Sequence, residues 1–119
     1  RLINPKLVEQ QVHGGMSQSI GFALYEEILV DPKNARVLNP TLLDYKIPTT
    51  MDMPDLEAQF VETDDPTGPY GNKAAGETTT LSPAAAIRDA ILDATGVKFY
   101  EEPMTPQRLF EGFKREGLI

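Results

Sequence analysis

The chain has no cysteine. Disulfides, cysteine-held iron–sulfur clusters and thiolate nucleophiles are therefore excluded within it. Its only histidine is His13, too few imidazoles for an ordinary zinc site. No metal ligand is assigned in this chain, so any redox metal must be held by a cofactor or another chain. Basic residues are outnumbered, 11 against 18 acidic, for a net charge of −7. Phosphate backbones are repelled by such a surface, which argues against nucleic acid as a partner. No basic tract suits a membrane surface, and no apolar run is long enough to span a bilayer. No signal peptide, internal repeat, low-complexity tract or Gly-x-x-x-x-Gly-Lys-Ser/Thr phosphate loop occurs. A cytoplasmic setting is compatible with this composition.

At 119 residues the chain is one domain at most, 1–119, with room for one modest core. Ten prolines and nine glycines predict several loops. Asn4-Pro5 reads as an N-cap followed by a first-turn proline. A long helix is expected from about Lys6 to Ile28, because Val8, Val12, Met16, Ile20, Leu24 and Ile28 recur every four residues. Gly14, Gly15 and Gly21 interrupt it, each at a cost of about 1 kcal/mol. A helix that keeps them needs close approach by another backbone or a ligand. Its buried stripe exceeds what a chain this short can cover, so an apolar surface and a partner are expected.

Asp31-Pro32-Lys33-Asn34 predicts a turn between Ile28-Leu29-Val30 and Arg36-Val37-Leu38, a hairpin. Leu56–Thr63 alternates apolar and polar residues and reads as a half-buried strand, and Val97-Lys98-Phe99 as a short one. Ser82-Pro83 repeats the cap-plus-proline signature ahead of an Ala-rich helix to Thr95, stopped by Gly96. Thr105-Pro106 opens a last short helix to about Lys114. The expected fold class is α+β, with antiparallel pairing.

The run Gly71-Asn-Lys73-Ala-Ala-Gly76-Glu77-Thr78 concentrates small residues around one carboxylate. Gly76 permits a tight turn, Ala74 and Ala75 permit close approach by a bulky group, and a dry pocket would make Glu77 a stronger base. The plainer reading is a glutamate that complements the dipole of the following helix. Gln11 and Gln18 are seven residues apart and share a helix face. Their amides suit the edge of a heterocycle, or else simply face solvent. Lys73 could anchor an anion or be a solvated loop lysine. His13 lacks an Asp or Ser partner motif, so triad chemistry is unsupported.

In order along the chain, several segments are similar to motifs of the molybdenum-cofactor subunit of the xanthine dehydrogenase/aldehyde oxidase family. They are Gln11-Val-His-Gly-Gly-Met-Ser-Gln18-Ser-Ile-Gly21 with Glu26-Glu27, Asp44-Tyr-Lys-Ile-Pro-Thr49, Lys73-Ala-Ala-Gly76-Glu77, the Ala-rich helix after Ser82-Pro83, and Met104-Thr-Pro106. The resemblance implies the C-terminal part of a larger molybdopterin-binding domain. It departs at Thr78, where many relatives carry Pro, Ala or Gly, and at Ser19, where glycine is frequent. Glu77 would be the active-site base, Gln11 would hydrogen-bond the molybdopterin, and Gly76, Lys73 and Gln18 would complete the cofactor contacts. The metal, held by the pterin, would generate the nucleophile and take electrons onward through iron–sulfur clusters to FAD. Those clusters and the flavin would lie on other domains or subunits, and so would the glycine-rich loops on the far side of the metal. With Arg1 rather than Met at its start, the chain is expected to be a fragment, an excised domain or a small subunit of a split enzyme, inactive alone. Purines, nicotinate, aldehydes and carbon monoxide are substrates of related scaffolds. A non-catalytic α+β interaction module is the competing reading, and a metal-free hydrolase using Glu77 and His13 a more distant one.

Overall fold

Asn4 and Pro5 start the first helix as their residue types demand. In the computed structural model, which describes residues 1–119, α1 spans Pro5–Leu24. Asn4 is extended, and its Oδ1 accepts the Leu7 N–H at 3.2 Å, so one orphan donor of the first turn is satisfied. The helix ends at Leu24 rather than at Ile28. Tyr25 and Glu26 both donate their N–H groups to the Gly21 carbonyl at 2.9 Å. Beyond them, the buried Asn39 side chain donates to the Glu27 carbonyl at 2.6 Å and accepts the Leu29 N–H at 2.9 Å. That amide takes up backbone groups which a continuing helix would have used.

Two further helices follow at their marked positions. α2 spans Pro83–Thr95 and ends on Gly96 in left-handed backbone, φ 73°, whose N–H reaches the Leu92 carbonyl at 2.7 Å. α3 spans Pro106–Arg115, and Thr105 caps it by accepting the Arg108 N–H at 3.3 Å. One-turn 3₁₀ helices lie at Pro69–Gly71 and Glu77–Thr80. α1 packs against α2 and against the Glu77–Thr80 turn. No helix is long and apolar enough to cross a membrane.

The α+β expectation is corrected, because the chain forms no strand. Its β structure is one antiparallel bridge, Val30 to Val37. The turn between them is present, with Asp31 N–H on the Arg36 carbonyl at 2.8 Å and Leu38 N–H on the Leu29 carbonyl at 2.7 Å. A lone hairpin with both apolar arms exposed has nothing to extend it. Leu56–Thr63 keeps its alternation: Leu56, Ala58 and Phe60 are half-buried, Glu57, Gln59 and Val61 exposed. It pairs with no neighbour in this chain. Val97 and Phe99 are buried on either side of exposed Lys98, again without a ladder. In both segments the period was right and the partner strand was missing.

The core is small and lies at one end. Ala23, Val97, Phe99 and Met104 form it, with Ile87 and Ile91 of α2 and Leu109 and Phe113 of α3 packed around them. Phe99 meets Phe113 edge to face at 5.8 Å. The Met104 N–H donates to the Ala23 carbonyl at 2.6 Å, and Arg108 pairs with Glu27. Only 10 of 119 residues are buried. The radius of gyration is 18.3 Å, against about 13–14 Å for a compact domain of this length. Much of the α1 stripe instead lines an open apolar groove of about 620 Å³, between Val12, Met16, Ile20, Leu56 and Ile87.

Met104 is 1 % exposed, so Met104→Ala should cost about 2–5 kcal/mol in chemical denaturation. A loss below about 1 kcal/mol, less than a typical large-to-small core change, would show that the four-residue cluster is not what holds the helices together.

Candidate functional site

The Gly76–Glu77 turn is seated on α1 by Thr79. Thr79 Oγ1 donates within the turn to the Gly76 carbonyl at 3.1 Å and leans on the Gln11 carbonyl at 3.5 Å. The approach is possible because residue 15 is glycine. A Cβ there would overlap the Thr79 side chain, 2.8 Å from its Cβ, and sit 3.2 Å from the Thr79 carbonyl carbon. Gly21 makes similar room for the Glu26 carboxylate and for Pro48, at 3.2 Å from its Cδ. Glu26 in turn accepts the Tyr45 hydroxyl at 2.7 Å, and this bond holds the phenol pKa above its ordinary value. Gly15 thus serves the expected close approach of another backbone, whereas Gly21 makes room for side chains.

Gly14 and Gly76 behave differently. A Cβ at either would meet nothing within 4 Å. Ala74 and Ala75 are exposed as well. The small residues of the Lys73–Glu77 run therefore clear no space for this chain's own atoms. They leave an open face beside the Gln11 end of α1.

Glu77 opens the Glu77–Thr80 turn and is exposed, and its carboxylate makes no hydrogen bond or ion pair. The expected dry, crowded pocket around it is not built from these residues. Gln11 is exposed one contact away, across Thr79. Gln18 is also exposed, but lies further along α1 beside Phe22, Ile47 and Pro48. Lys73 stands apart, its ammonium 3.7 Å from Asp65 and largely in solvent. Asp65 accepts the Thr67 hydroxyl at 2.7 Å and the Thr67 N–H at 2.9 Å. These bonds, with the Lys73 ammonium adding less, hold its carboxyl below the ordinary value. The geometry thus brings Gln11, Gly76 and Glu77 together and leaves Gln18 and Lys73 at the margins.

Thr79 and His13 take their significance from the structure. Thr79 was one threonine among three, and only the glycine four positions after Gln11 signals that something must lie there. His13 is half-buried, and its Nε2 is buried without a hydrogen-bond partner. The nitrogen is enclosed by this chain's own atoms near the Gln11 turn of the helix. The donor set is amide and carboxylate, with no grouping of side chains that could hold a metal ion. It suits contact with an organic cofactor that carries its own metal ligands.

Known proteins resemble this chain in sequence and in fold. Residues 1–54 match the molybdopterin cofactor-binding domain family. The xanthine dehydrogenase molybdenum-binding subunit of Escherichia coli O157:H7 is 52 % identical over 118 residues, 99 % of this chain and 16 % of that protein. The aldehyde oxidoreductase of Megalodesulfovibrio gigas is 37 % identical over 114 residues, 95 % of this chain and 12 % of its own length. Among solved structures, quinoline 2-oxidoreductase from Pseudomonas putida 86 superposes with a TM-score of 0.84 at 40 % identity, over 95 % of this chain and 15 % of that one. The chain belongs to the molybdenum-binding subunit family of the xanthine dehydrogenase/aldehyde oxidase type. It spans 16 % of the length of the E. coli relative.

Gly15→Ala should force the Glu77–Thr80 turn off α1, because the nearest obstacles include Thr79 backbone. Overpacking of this kind costs about 1–3 kcal/mol, readable as a lowered denaturation midpoint. An unchanged midpoint would mean that the turn is not held there. A second test concerns the loop that carries Lys73. A depressed folded-state pKa stabilises the loop above the ordinary carboxylate range, and the contribution is lost as pH falls through the depressed value. Titration of Asp65 by NMR should therefore give a midpoint below the ordinary aspartate value, and Thr67→Val should raise it. A midpoint unmoved by Thr67→Val would remove the hydroxyl as the cause.

Proposed function

We propose that this chain forms part of a molybdenum hydroxylase, contributing the base Glu77 and contacts to molybdopterin. The whole enzyme oxidises a carbon of a heterocycle or an aldehyde with oxygen drawn from water. The observation that carries this reading is the seating of the Gly76–Glu77 turn on α1 at Gln11 and Gly15, with an open small-residue face alongside. An exposed carboxylate with no partner is available to accept a proton. The amide of Gln11, across Thr79, can donate to and accept from the edge of a pterin. Gly76 leaves room for the ring system, and Lys73 and Gln18 serve at its periphery. Bound molybdopterin supplies the metal that activates the oxygen nucleophile and accepts the electrons.

In this reading Glu77 takes the proton from the attacking oxygen, and the Thr79 contact fixes where its carboxylate stands. Water must be excluded from the carboxylate for it to act as a strong base. That cover comes from the remainder of the molybdenum-binding subunit, whose relatives are several-fold longer than this chain. Iron–sulfur and flavin groups on partner domains or subunits would be the electron acceptors. The chain alone is inactive. The exposure of Glu77 also favours one other reading, a scaffold segment in which the carboxylate has no chemical role.

Glu77→Gln in the complete assembly separates the two. The proposal expects turnover to fall by about 10²–10⁴-fold, the usual contribution of a general base, with molybdenum content unchanged. Turnover retained at the wild-type rate would exclude Glu77 as the base and favour the scaffold.

A further inference from the structure

α2 begins without the cap its own sequence offers. Ser82 sits in right-handed helical backbone, φ −102° and ψ −26°, and its side chain makes no cap bond. Pro83 has no N–H. The first amide of α2 that needs a partner belongs to Ala84, and it donates to Ser19 Oγ at 3.0 Å. Ser19 lies on α1, 65 positions earlier, and is 1 % exposed. This is the one hydrogen bond between the two helices.

The chain runs from the Glu77–Thr80 turn through Leu81 and Ser82 directly into α2. The turn is therefore held at two places along α1. One is the Thr79 contact near Gln11, long at 3.5 Å and exposed. The other is the Ser19–Ala84 bond, shorter at 3.0 Å and part-buried, with the Ser19 side chain enclosed. We propose that Ser19 is a positioning residue. By capping α2 across the helix interface, it sets where the Gly76–Glu77 turn sits along α1 and so the spacing between the Glu77 carboxylate and the Gln11 amide. The catalytic half of this inference rests on the base role proposed for Glu77, whereas the cap stands without it.

The test uses the complete assembly. Ser19→Ala should speed hydrogen–deuterium exchange at the Ala84 amide by about tenfold, as loss of a helix N-cap does. It should lower kcat by about ten- to a hundredfold, in line with a small misplacement of a reacting group, with KM and molybdenum content unchanged. Ser19→Thr, which keeps an acceptor oxygen, should recover part of both. Should Ser19→Ala fail to assemble, Ser19→Cys puts a slightly larger, weaker acceptor at the same place and should fall between wild type and full loss. Unchanged exchange at Ala84 would overturn the cap. Faster exchange with unchanged kcat would overturn the positioning role. A fall in kcat accompanied by raised KM and lost molybdenum, without recovery by Thr, would reduce Ser19 to a merely structural part. If Glu77→Gln retains turnover, the base reading fails, while exchange at Ala84 still reports on the cap.

Discussion

Thr79 lies against the backbone of α1 because position 15 has no side chain, and the geometry of the site follows from that approach. Any Cβ at residue 15 would stand in the space the threonine occupies. With the glycine in place, a turn remote in sequence settles beside the Gln11 carbonyl. The turn that begins with Glu77 thereby packs beside the helix turn that carries Gln11. The helix loses conformational preference at that glycine, and the site gains its register.

The caps and stops of the helices were legible because their chemistry is local. Asn4 and Thr105 bind amides three residues on, and Gly96 adopts the left-handed conformation its type allows. Ser82 carried the same signature and did not act, since a serine from α1 reached the amide first. That substitution of one cap for another is invisible without the tertiary contact. The strands failed for the same kind of reason. Leu56–Thr63 and Val97–Phe99 alternate correctly between buried and exposed sides, but a ladder requires a neighbour, and periodicity does not say whether one is present. Of the candidate site, Gln11, Gly76 and Glu77 were singled out from residue types, motif order and resemblance. Thr79 and Ser19 emerge as site-forming residues only once α1 and the turn are seen together.

A chain with so thin a core, extending 53 Å along its longest axis, presents surfaces more than it encloses a volume. The valine, methionine and isoleucine stripe of α1 faces an open apolar groove, and Gly14 and Gly76 face empty space. A buried imidazole nitrogen at His13 has no partner. Apolar walls without cover and glycines without neighbours leave faces on which further atoms can pack. The family relatives, several times longer, are of the size to provide them. Glu77 is exposed in this chain, and the base role proposed for it requires such cover.

The most direct measurement is a crystal structure of the complete assembly with cofactor and a bound substrate analogue. The account predicts that Glu77, solvent-facing in this chain, is covered there. Its carboxylate should lie about 2.6–3.2 Å from the oxygen it deprotonates, with the Gln11 amide on the pterin edge. A Glu77 side chain still in bulk water, on a face turned away from the cofactor, would contradict it.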